Sequence, residues 1–252
     1  MHDPEGRLFP HLQTFTPLLK TLFDQVYISI PEETRALQAE YAAWIDQDAF
    51  FQVTEIPPGV PVGDHFHILY QAAAQSAPAR QILHLCYIDR VAFALGGLFK
   101  DQFISDIQSI GESVVPLIFH RSLSAWETHP RNYYEIEHMA TRAGEMVFGK
   151  TLDFGWCHLV VQAGDLLTAL QQSHNHDLSM VAELVVALEN RLHTQDVDWL
   201  AWEDPFILGC NAVGLKHERE GSLAEVHKRL SYIVPILDLI DKSAASRFNN
   251  PR

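Results

Sequence analysis

Several features that reveal a protein's class are scarce in this sequence of 252 residues. Only three cysteines occur, Cys86, Cys157 and Cys210, and no two form a CxxC pair. We therefore expect reduced thiols in a cytoplasmic protein rather than a disulfide framework. No run of about 18 consecutive apolar residues is present, so no membrane-spanning helix is predicted. The amino terminus lacks a basic region followed by an apolar run, and we predict no signal peptide.

Positive charge is also scarce, because 18 Lys and Arg residues face 32 Asp and Glu residues, which gives a net charge of −14. Such an acidic surface argues against nucleic acid or an anionic membrane as a partner. A phosphorylated small ligand stays compatible, because a metal ion or a few arginines can reverse the local sign in a cleft. The apolar content of 47% allows one large domain, or one domain with a substantial subdomain.

Common catalytic motifs are absent as well. The sequence has no GxxxxGK[ST], GxGxxG, GxSxG or HExxH pattern, which lowers the expectation of a P-loop NTPase, a common dinucleotide dehydrogenase, an α/β-hydrolase or a zinc hydrolase. Among 14 histidines, His65 and His67 are two apart on a predicted helix and point away from each other. Residues 174–177 (HNHD) are a better metal candidate, although a solvated loop is the favoured interpretation there.

The first third of the chain alternates between two periodicities. Apolar residues recur at helical spacing near residues 8–22, 37–45 and 66–73, and a β-rich run follows each segment, at 26–30, at 49–56 and before Asp89. This order predicts parallel βαβ units in an α/β, Rossmann-like, mostly parallel sheet. Residues 114–119 are a later strand candidate. Beyond Pro130 the pattern is largely helical, and residues 159–170 are predicted as helix.

We place a soft boundary near residue 120. It separates an α/β nucleotide-binding half (1–120) from a mostly helical acceptor half (121–252), and the two halves are expected to pack as one unit. The chain starts with a loop-to-helix junction, whereas a βαβ protein normally starts with a strand. We expect that the coding sequence begins further upstream and contains that strand. A sheet that lacks it is the alternative.

Asp89 is the most informative residue, because it follows a short buried strand. Ligands of open α/β sheets bind at the carboxyl ends of the strands. An ionised aspartate at such a position can hold a divalent cation, and the cation can hold a phosphate. The competing interpretation is an aspartate that caps a helix starting at Arg90.

Several segments together resemble bacterial glycosyltransferase-like proteins of the GT-A superfamily, from residue 2 to about residue 220. Residues 2–7 (HDPEGR) are similar to the loop after the first strand of that family. Residues 84–90 (HLCYIDR) resemble its HYCDxDR pattern, and residues 121–131 (RSLSAWETHPR) resemble its GRTxRAFxTHPR pattern. Residues 149–165 and 196–199 are similar to later blocks, and residues 128–131 (THPR) are the most specific piece.

The resemblance implies a sheet that binds a nucleotide-diphosphate sugar and an acidic motif, usually DxD, that holds Mg²⁺ or Mn²⁺. Asp89 matches the last aspartate of that motif, whereas Tyr87 stands at its other acidic position. The cation stabilises the charge that develops on the diphosphate leaving group. An inverting enzyme also needs a general base for the acceptor hydroxyl, and Asp198, Glu203 and Asp204 are the candidates; a retaining enzyme does not.

We further predict a set of residues that contact the nucleotide sugar or line its cleft, namely His2, Asp3, Glu5, Arg7, Gly63, Arg90, Arg121, His129 and Arg131. Other interpretations stand beside these. Asp3, Glu5 and Arg7 suit a helix amino terminus, Asp64 suits a helix cap beside Gly63, and His129 suits a structural hydrogen bond.

The expected function is therefore transfer of a sugar from a nucleotide-diphosphate sugar to an acceptor that the sequence does not identify. Two alternatives remain: a catalytically degenerate protein that binds a nucleotide, a sugar or a partner, and a nucleotidyltransferase. A homodimer is the assembly that we allow for.

Overall fold

The computed structural model describes residues 1, 3–156 and 158–249, and this part of the chain is a mixed α/β protein. The described strands are β1 (Val26–Ile28), β2 (Phe51–Val53), β3 (Ile82–Cys86), β4 (Leu117–Arg121), β5 (His158–Gln162) and β6 (His193–Val197). The described helices are α1 (Phe9–Leu22), α2 (Glu32–Leu37), α3 (Ala39–Gln47), α4 (Val62–Ser76), α5 (Ile88–Gly96), α6 (Lys100–Gln108), α7 (Leu123–Thr128), α8 (Arg131–Phe148), α9 (Ala163–Leu170), α10 (Ser179–Leu188), α11 (Asp204–Leu208), α12 (Ala212–Glu220) and α13 (Leu223–Asn249). None of these helices is long and apolar enough to cross a membrane.

The described strands form two small sheets. β1 and β2 pair in parallel, and the larger sheet has the order β3-β5-β4-β6. In that sheet β5 is antiparallel to both of its neighbours, whereas β4 and β6 are parallel. The predicted combination of helices and β-sheet is thus confirmed, whereas the expected Rossmann-like, mostly parallel sheet is not. Among the described strands, parallel pairing is found only between β1 and β2 and between β4 and β6.

Two strands account for the difference from the expected sheet. Residues 159–170 were predicted as helix, but the segment forms β5 before α9 begins at Ala163. A short continuous apolar run fits a buried strand as well as a buried helix, and β5 is central in its sheet. β6 has the sequence HTQDV. This edge strand was not predicted, because its mostly polar side chains do not form an apolar run.

The predicted boundary at residue 120 falls inside β4. The larger sheet takes β3 from the first half, β5 and β6 from the second, and β4 from both sides of the boundary.

Helices cover both faces of the larger sheet. Successive side chains of a strand point to opposite faces, and in β4 Leu117 and Phe119 therefore join one apolar core while Ile118 joins the other. The first core contains side chains of α1, α3, α5 and α6, and the second contains side chains of α4, α8, α9, α10 and α13. This packing fixes the edge of the sheet at which the candidate site lies.

Candidate functional site

Three strands of the larger sheet end at the same edge. Because β5 runs against β3 and β4, and β4 is parallel to β6, the strands β3, β4 and β6 point in one direction. Asp89 follows β3, Arg121 is the last residue of β4, and Glu203 lies a few residues after β6. Residues that are far apart in the sequence are therefore brought together at the carboxyl ends of the strands.

A cavity of about 450 Å³ lies at this edge. Five cationic side chains and four carboxylates line it, although carboxylates outnumber cations in the whole chain. The lining charged residues are Arg90, Arg121, Arg219, Lys228 and Arg229, and Asp89, Glu137, Glu203 and Asp204. Tyr87, Tyr133 and Tyr232 add hydroxyl groups and aromatic faces. Cationic side chains therefore outnumber carboxylates in the lining of the cavity, although the net charge of the whole chain is negative.

Arg121 is the most deeply buried of these cations, with a side chain 3% exposed. Its guanidinium lies 2.7 Å from Glu137 and 3.3 Å from Asp153, and it stacks on the ring of Trp126 at 3.6 Å. Glu137 also contacts Arg229 at 3.1 Å. One carboxylate therefore bridges two arginines, and the cationic wall of the cavity is held in a fixed arrangement.

Arg90 and Glu203 form a second buried ion pair. Burial raises the pKa of Glu203 to about 7, despite the attraction of Arg90, and the charges of Asp89 and Asp204 raise it further. Loss of water contact also raises the pKa of Asp89, and the charge of Arg90 and the N–H of Arg90, 2.8 Å from the carboxylate, oppose that shift. These three carboxylates therefore repel one another, which is a condition that a bound cation relieves.

α8, α12 and α13 supply the remaining charged wall. The hydroxyl of Tyr133 donates to Glu225 at 2.7 Å, and burial together with this bond raises the pKa of Tyr133 to about 12. Arg219 pairs with the same Glu225, and Arg229 stacks on the ring of Tyr133 at 3.6 Å. The Nε atoms of Arg219 and Arg229 are buried without a hydrogen-bond partner.

Asp198 and His129 were also predicted as site residues, but neither lines the cavity. Asp198 accepts hydrogen bonds from the hydroxyls of Ser122 and Ser124, and these bonds lower its pKa. His129 is buried with its Nδ1 atom 2.9 Å from the carbonyl oxygen of Ala125, and its Nε2 atom is 3.5 Å from Arg90. The expected structural hydrogen bond of His129 is thus present.

Arg131 also lies away from the cavity. Its side chain is 81% exposed, and it pairs with Glu135 one turn further along α8. The THPR segment therefore contributes a packed histidine and a surface arginine at this point of the fold.

The amino-terminal loop uses its charges locally. The buried carboxylate of Asp3 accepts hydrogen bonds from the backbone N–H groups of Arg7, Leu8 and Phe9, where α1 begins. Glu5 and Arg7 form an ion pair on the surface. His2 lies outside the described residues. None of the described residues of this loop lines the cavity.

Gly63 lies in the first turn of α4, where it packs against another backbone segment. Its N–H donates to the carbonyl oxygen of His176 at 2.9 Å, and a Cβ atom at this position would lie 2.3 Å from the carbonyl oxygen of Asp177. Asp64 pairs with His176 at 2.7 Å. Close backbone approach is therefore the structural reason for a glycine here.

Within the described part of the chain, three metal-ligating side chains converge at one other place. Ligand atoms of His84, Cys86 and His158 all lie within 4.8 Å of one another. Among the described residues, Asp89 belongs to no group of three such side chains whose ligand atoms lie within 4.8 Å of one another. A cation at Asp89 would therefore need oxygen ligands from water or from a bound phosphate.

The sequence interpretation missed four of the nine charged residues that line the cavity. Glu137, Arg219, Lys228 and Arg229 come from helices whose charges look like ordinary solvent-facing positions. A usable signal exists, because Tyr133 and Glu137 are four residues apart on α8 and share one face. Their partners on α12 and α13 become visible only after the helices pack.

Comparison with protein-family models gave no match, and neither the curated proteins nor the solved structures gave one. The geometry of the cavity and the resemblance of its segments are therefore the basis of a functional proposal.

Proposed function

We propose that the cavity binds a nucleotide-diphosphate sugar and that the chain is a glycosyltransferase. The observation that carries this proposal is the convergence of Asp89, Arg90, Arg121, Glu203 and Asp204 around one cavity. These residues come from three separate segments of the sequence, at 89–90, at 121 and at 203–204. A cavity of about 450 Å³ also falls within the usual range for small-ligand sites, about 300–1,000 Å³.

The arginines would hold the diphosphate. Guanidinium groups present rigid pairs of donors that match phosphate oxygens, and a partly water-excluded cavity strengthens that attraction. Arg219 and Arg229 each retain a buried Nε–H without a partner, and a phosphate oxygen is a suitable acceptor for such a donor.

The carboxylates fit a hard divalent cation. Asp89 and Asp204 both line the cavity with oxygen donors, and the repulsion between their charges favours a positive charge nearby. Mg²⁺ characteristically uses one or two carboxylates together with waters and substrate phosphates, so the absence of further close ligands among the described residues suits it. When bound, Mg²⁺ or Mn²⁺ supplies a charge that stabilises the departing diphosphate.

Glu203 is the best candidate for the general base. A group that accepts a proton from an acceptor hydroxyl works best when its pKa lies near the working pH. The pKa of Glu203 is raised to about 7, and its carboxylate faces the cavity. Asp204 lines the same wall, whereas Asp198 is bound to two serines elsewhere. The proposal therefore ranks Glu203 before Asp204 and Asp198.

One observation favours a second function. Arg121, Glu137 and Arg229 already neutralise one another, as Arg90 and Glu203 do, and such networks also occur for purely structural reasons. A protein that binds a nucleotide or a sugar without catalysis is the corresponding alternative. A nucleotidyltransferase shares the requirement for a diphosphate and a metal.

A thermal-shift panel tests the proposal. UDP, GDP and their sugars are added to the full chain with and without Mn²⁺, and a ligand that binds only the folded state raises the melting temperature. We expect one nucleotide to raise it in a manganese-dependent way. The Asp89→Asn variant should lose the manganese-dependent part, while the Asp198→Asn variant should keep it.

Product analysis then separates the functions. Release of a nucleoside diphosphate supports glycosyl transfer, and release of pyrophosphate supports nucleotidyl transfer. Binding without turnover supports the non-catalytic alternative. A manganese-dependent shift that survives in Asp89→Asn would contradict the role given to Asp89.

A further inference from the structure

A second group of side chains, His84, Cys86 and His158, is created by the register of two strands. Cys86 of β3 is directly opposite His158 of β5, and His84 is two residues before Cys86, so all three point to the same face of the sheet. Residues that are directly opposite in an antiparallel pair have Cβ atoms about 4.5–5.5 Å apart. The pairing itself therefore brings two imidazoles and a thiol together.

The two imidazoles leave their outer nitrogen atoms unsatisfied. His84 Nε2 and His158 Nδ1 are 2.8 Å apart and share one hydrogen bond, while His84 Nδ1 and His158 Nε2 are buried without a partner. A neutral imidazole carries one N–H and one lone pair. Whichever ring donates to the other, one N–H and one lone pair of the pair remain unsatisfied. The shared hydrogen bond therefore satisfies only one nitrogen of each ring.

Aromatic rings surround the pair. Phe103 and Trp199 contact the ring of His158, and Phe23 and Phe119 contact the ring of His84. Burial lowers the pKa of His84 to about 4, and it lowers the pKa of His158 well below its usual value. The neutral imidazole is the form that binds metal ions.

An ion can reach this group from the solvent. His84 and Cys86 line a groove of about 480 Å³ that is also bordered by α1, β1 and α4. Cys86 is exposed, whereas His158 is fully buried. The groove therefore provides an entry path and room for a water molecule beside the thiol.

We propose that His84, Cys86 and His158 bind a Zn²⁺ ion, with water as the fourth ligand. Imidazole nitrogen and thiolate sulfur are both ligands that Zn²⁺ uses in proteins, and three protein ligands leave its fourth position open. With Zn–N distances of about 2.0–2.1 Å, tetrahedral geometry separates two nitrogens by about 3.3 Å. For both facing nitrogens to bind the ion as lone pairs, the donating ring has to carry its proton on its outer nitrogen instead. The observed 2.8 Å between the facing nitrogens must also widen by about 0.5 Å.

Sulfur sets the preference for this metal. The Cys86 thiol is protonated in the absence of an ion, so a bound ion has to displace that proton to the solvent. Zn²⁺ and Co²⁺ bind thiolate strongly, whereas Mg²⁺ prefers oxygen ligands. The two cation sites, one at Asp89 and one here, would thus select different metals.

A cobalt titration tests this site. The metal-stripped full chain is titrated with Co²⁺ in excess Mg²⁺, which occupies oxygen sites. We expect one equivalent to bind with a thiolate-to-cobalt charge-transfer absorption and tetrahedral visible bands, and Zn²⁺ to displace it. Cys86→Ser and His84→Gln should each weaken binding by about tenfold or more, and Cys86→Ser should remove the charge-transfer band.

Two controls make the result specific. Cys210→Ser alters another exposed cysteine and should leave the spectrum unchanged. Asp89→Asn should keep the charge-transfer band, because it alters none of the three proposed ligands, and this separates the site from the proposed nucleotide-sugar site. Absence of the charge-transfer band in the unaltered chain, or its survival in Cys86→Ser, would overturn the proposal, and the His84–His158 contact would then be a hydrogen bond only.

Discussion

Two loop-to-helix junctions carry the same kinds of side chain and use them differently. Before α1, the carboxylate of Asp3 accepts hydrogen bonds from three backbone N–H groups, and the Glu5–Arg7 pair is exposed to solvent. At α5, Asp89 lines the cavity, and Arg90 pairs with Glu203 away from solvent. An exposed ion pair contributes little to the stability of the protein. Removal of one partner of a buried ion pair costs much more, because it leaves the other charge buried and unpaired.

The comparison explains why an acidic residue near an arginine indicates a ligand-binding site at one junction and not at the other. In both cases the acidic residue stabilises the amino terminus of a helix. What distinguishes the second junction is the burial of several charges that come from other elements. The difference between the two junctions can be tested by changing one side chain at a time.

Replacement of Arg121 by methionine should have the largest effect. The change leaves Asp153 without its cationic partner and Glu137 with Arg229 alone, and we expect the free energy of unfolding to fall by about 3–5 kcal/mol. Urea denaturation at pH 7 measures it. Arg7→Met removes an exposed pair at the other junction and should change stability by no more than about 0.5 kcal/mol. Equal losses in the two variants would refute the distinction between ion pairs buried beside the cavity and the exposed pair before α1.

Glu203→Gln should change how stability depends on pH. The pKa of this carboxyl is raised from 4.5 in the unfolded chain to about 7 in the folded one, so the folded state binds the proton more tightly. The unaltered chain should therefore lose up to about 3 kcal/mol of stability as the pH rises from about 4.5 to about 7. Below that range the carboxyl is protonated in both states and contributes no dependence.

The measurement is a series of denaturation curves between pH 4.5 and pH 8. The Gln variant should lack this part of the decline, so the stability difference between the two proteins should vary with pH. Glu5→Gln, at the exposed pair, should run parallel to the unaltered chain. A constant difference between Glu203→Gln and the unaltered chain would mean that Glu203 titrates normally.

The same contrast shows what the sequence could predict about the fold. α1, α4 and β3 were predicted because their apolar residues follow a regular period or form a short run before a polar boundary. β5 was mistaken for helix, because a central strand is apolar on both faces and loses the period of two. β6 was missed, because three of its five residues are exposed and polar at the sheet edge.

The candidate site divides in a similar way. Asp89 and Arg121 stand next to buried strands, so their place at the sheet edge follows from the order of the chain. Arg219 and Arg229 come from helices near the end of the sequence, and nothing local marks them as cavity residues. Their role depends on the packing of α8 against α13, which is a long-range contact. Sequence patterns can therefore predict the strand-end wall, while the helical wall requires the structure.

The smallest expected effect concerns Asp3. Asp3→Ala removes the acceptor of three backbone N–H groups where α1 begins, and we expect a loss of about 1–2 kcal/mol in the free energy of unfolding. Glu5→Ala is the matched control, because its side chain is exposed and should change stability by less than about 0.5 kcal/mol. If Asp3 serves only the helix, the manganese-dependent thermal shift should persist in Asp3→Ala at the lower melting temperature. Loss of that shift would instead assign this junction to the nucleotide, as the sequence resemblance predicts.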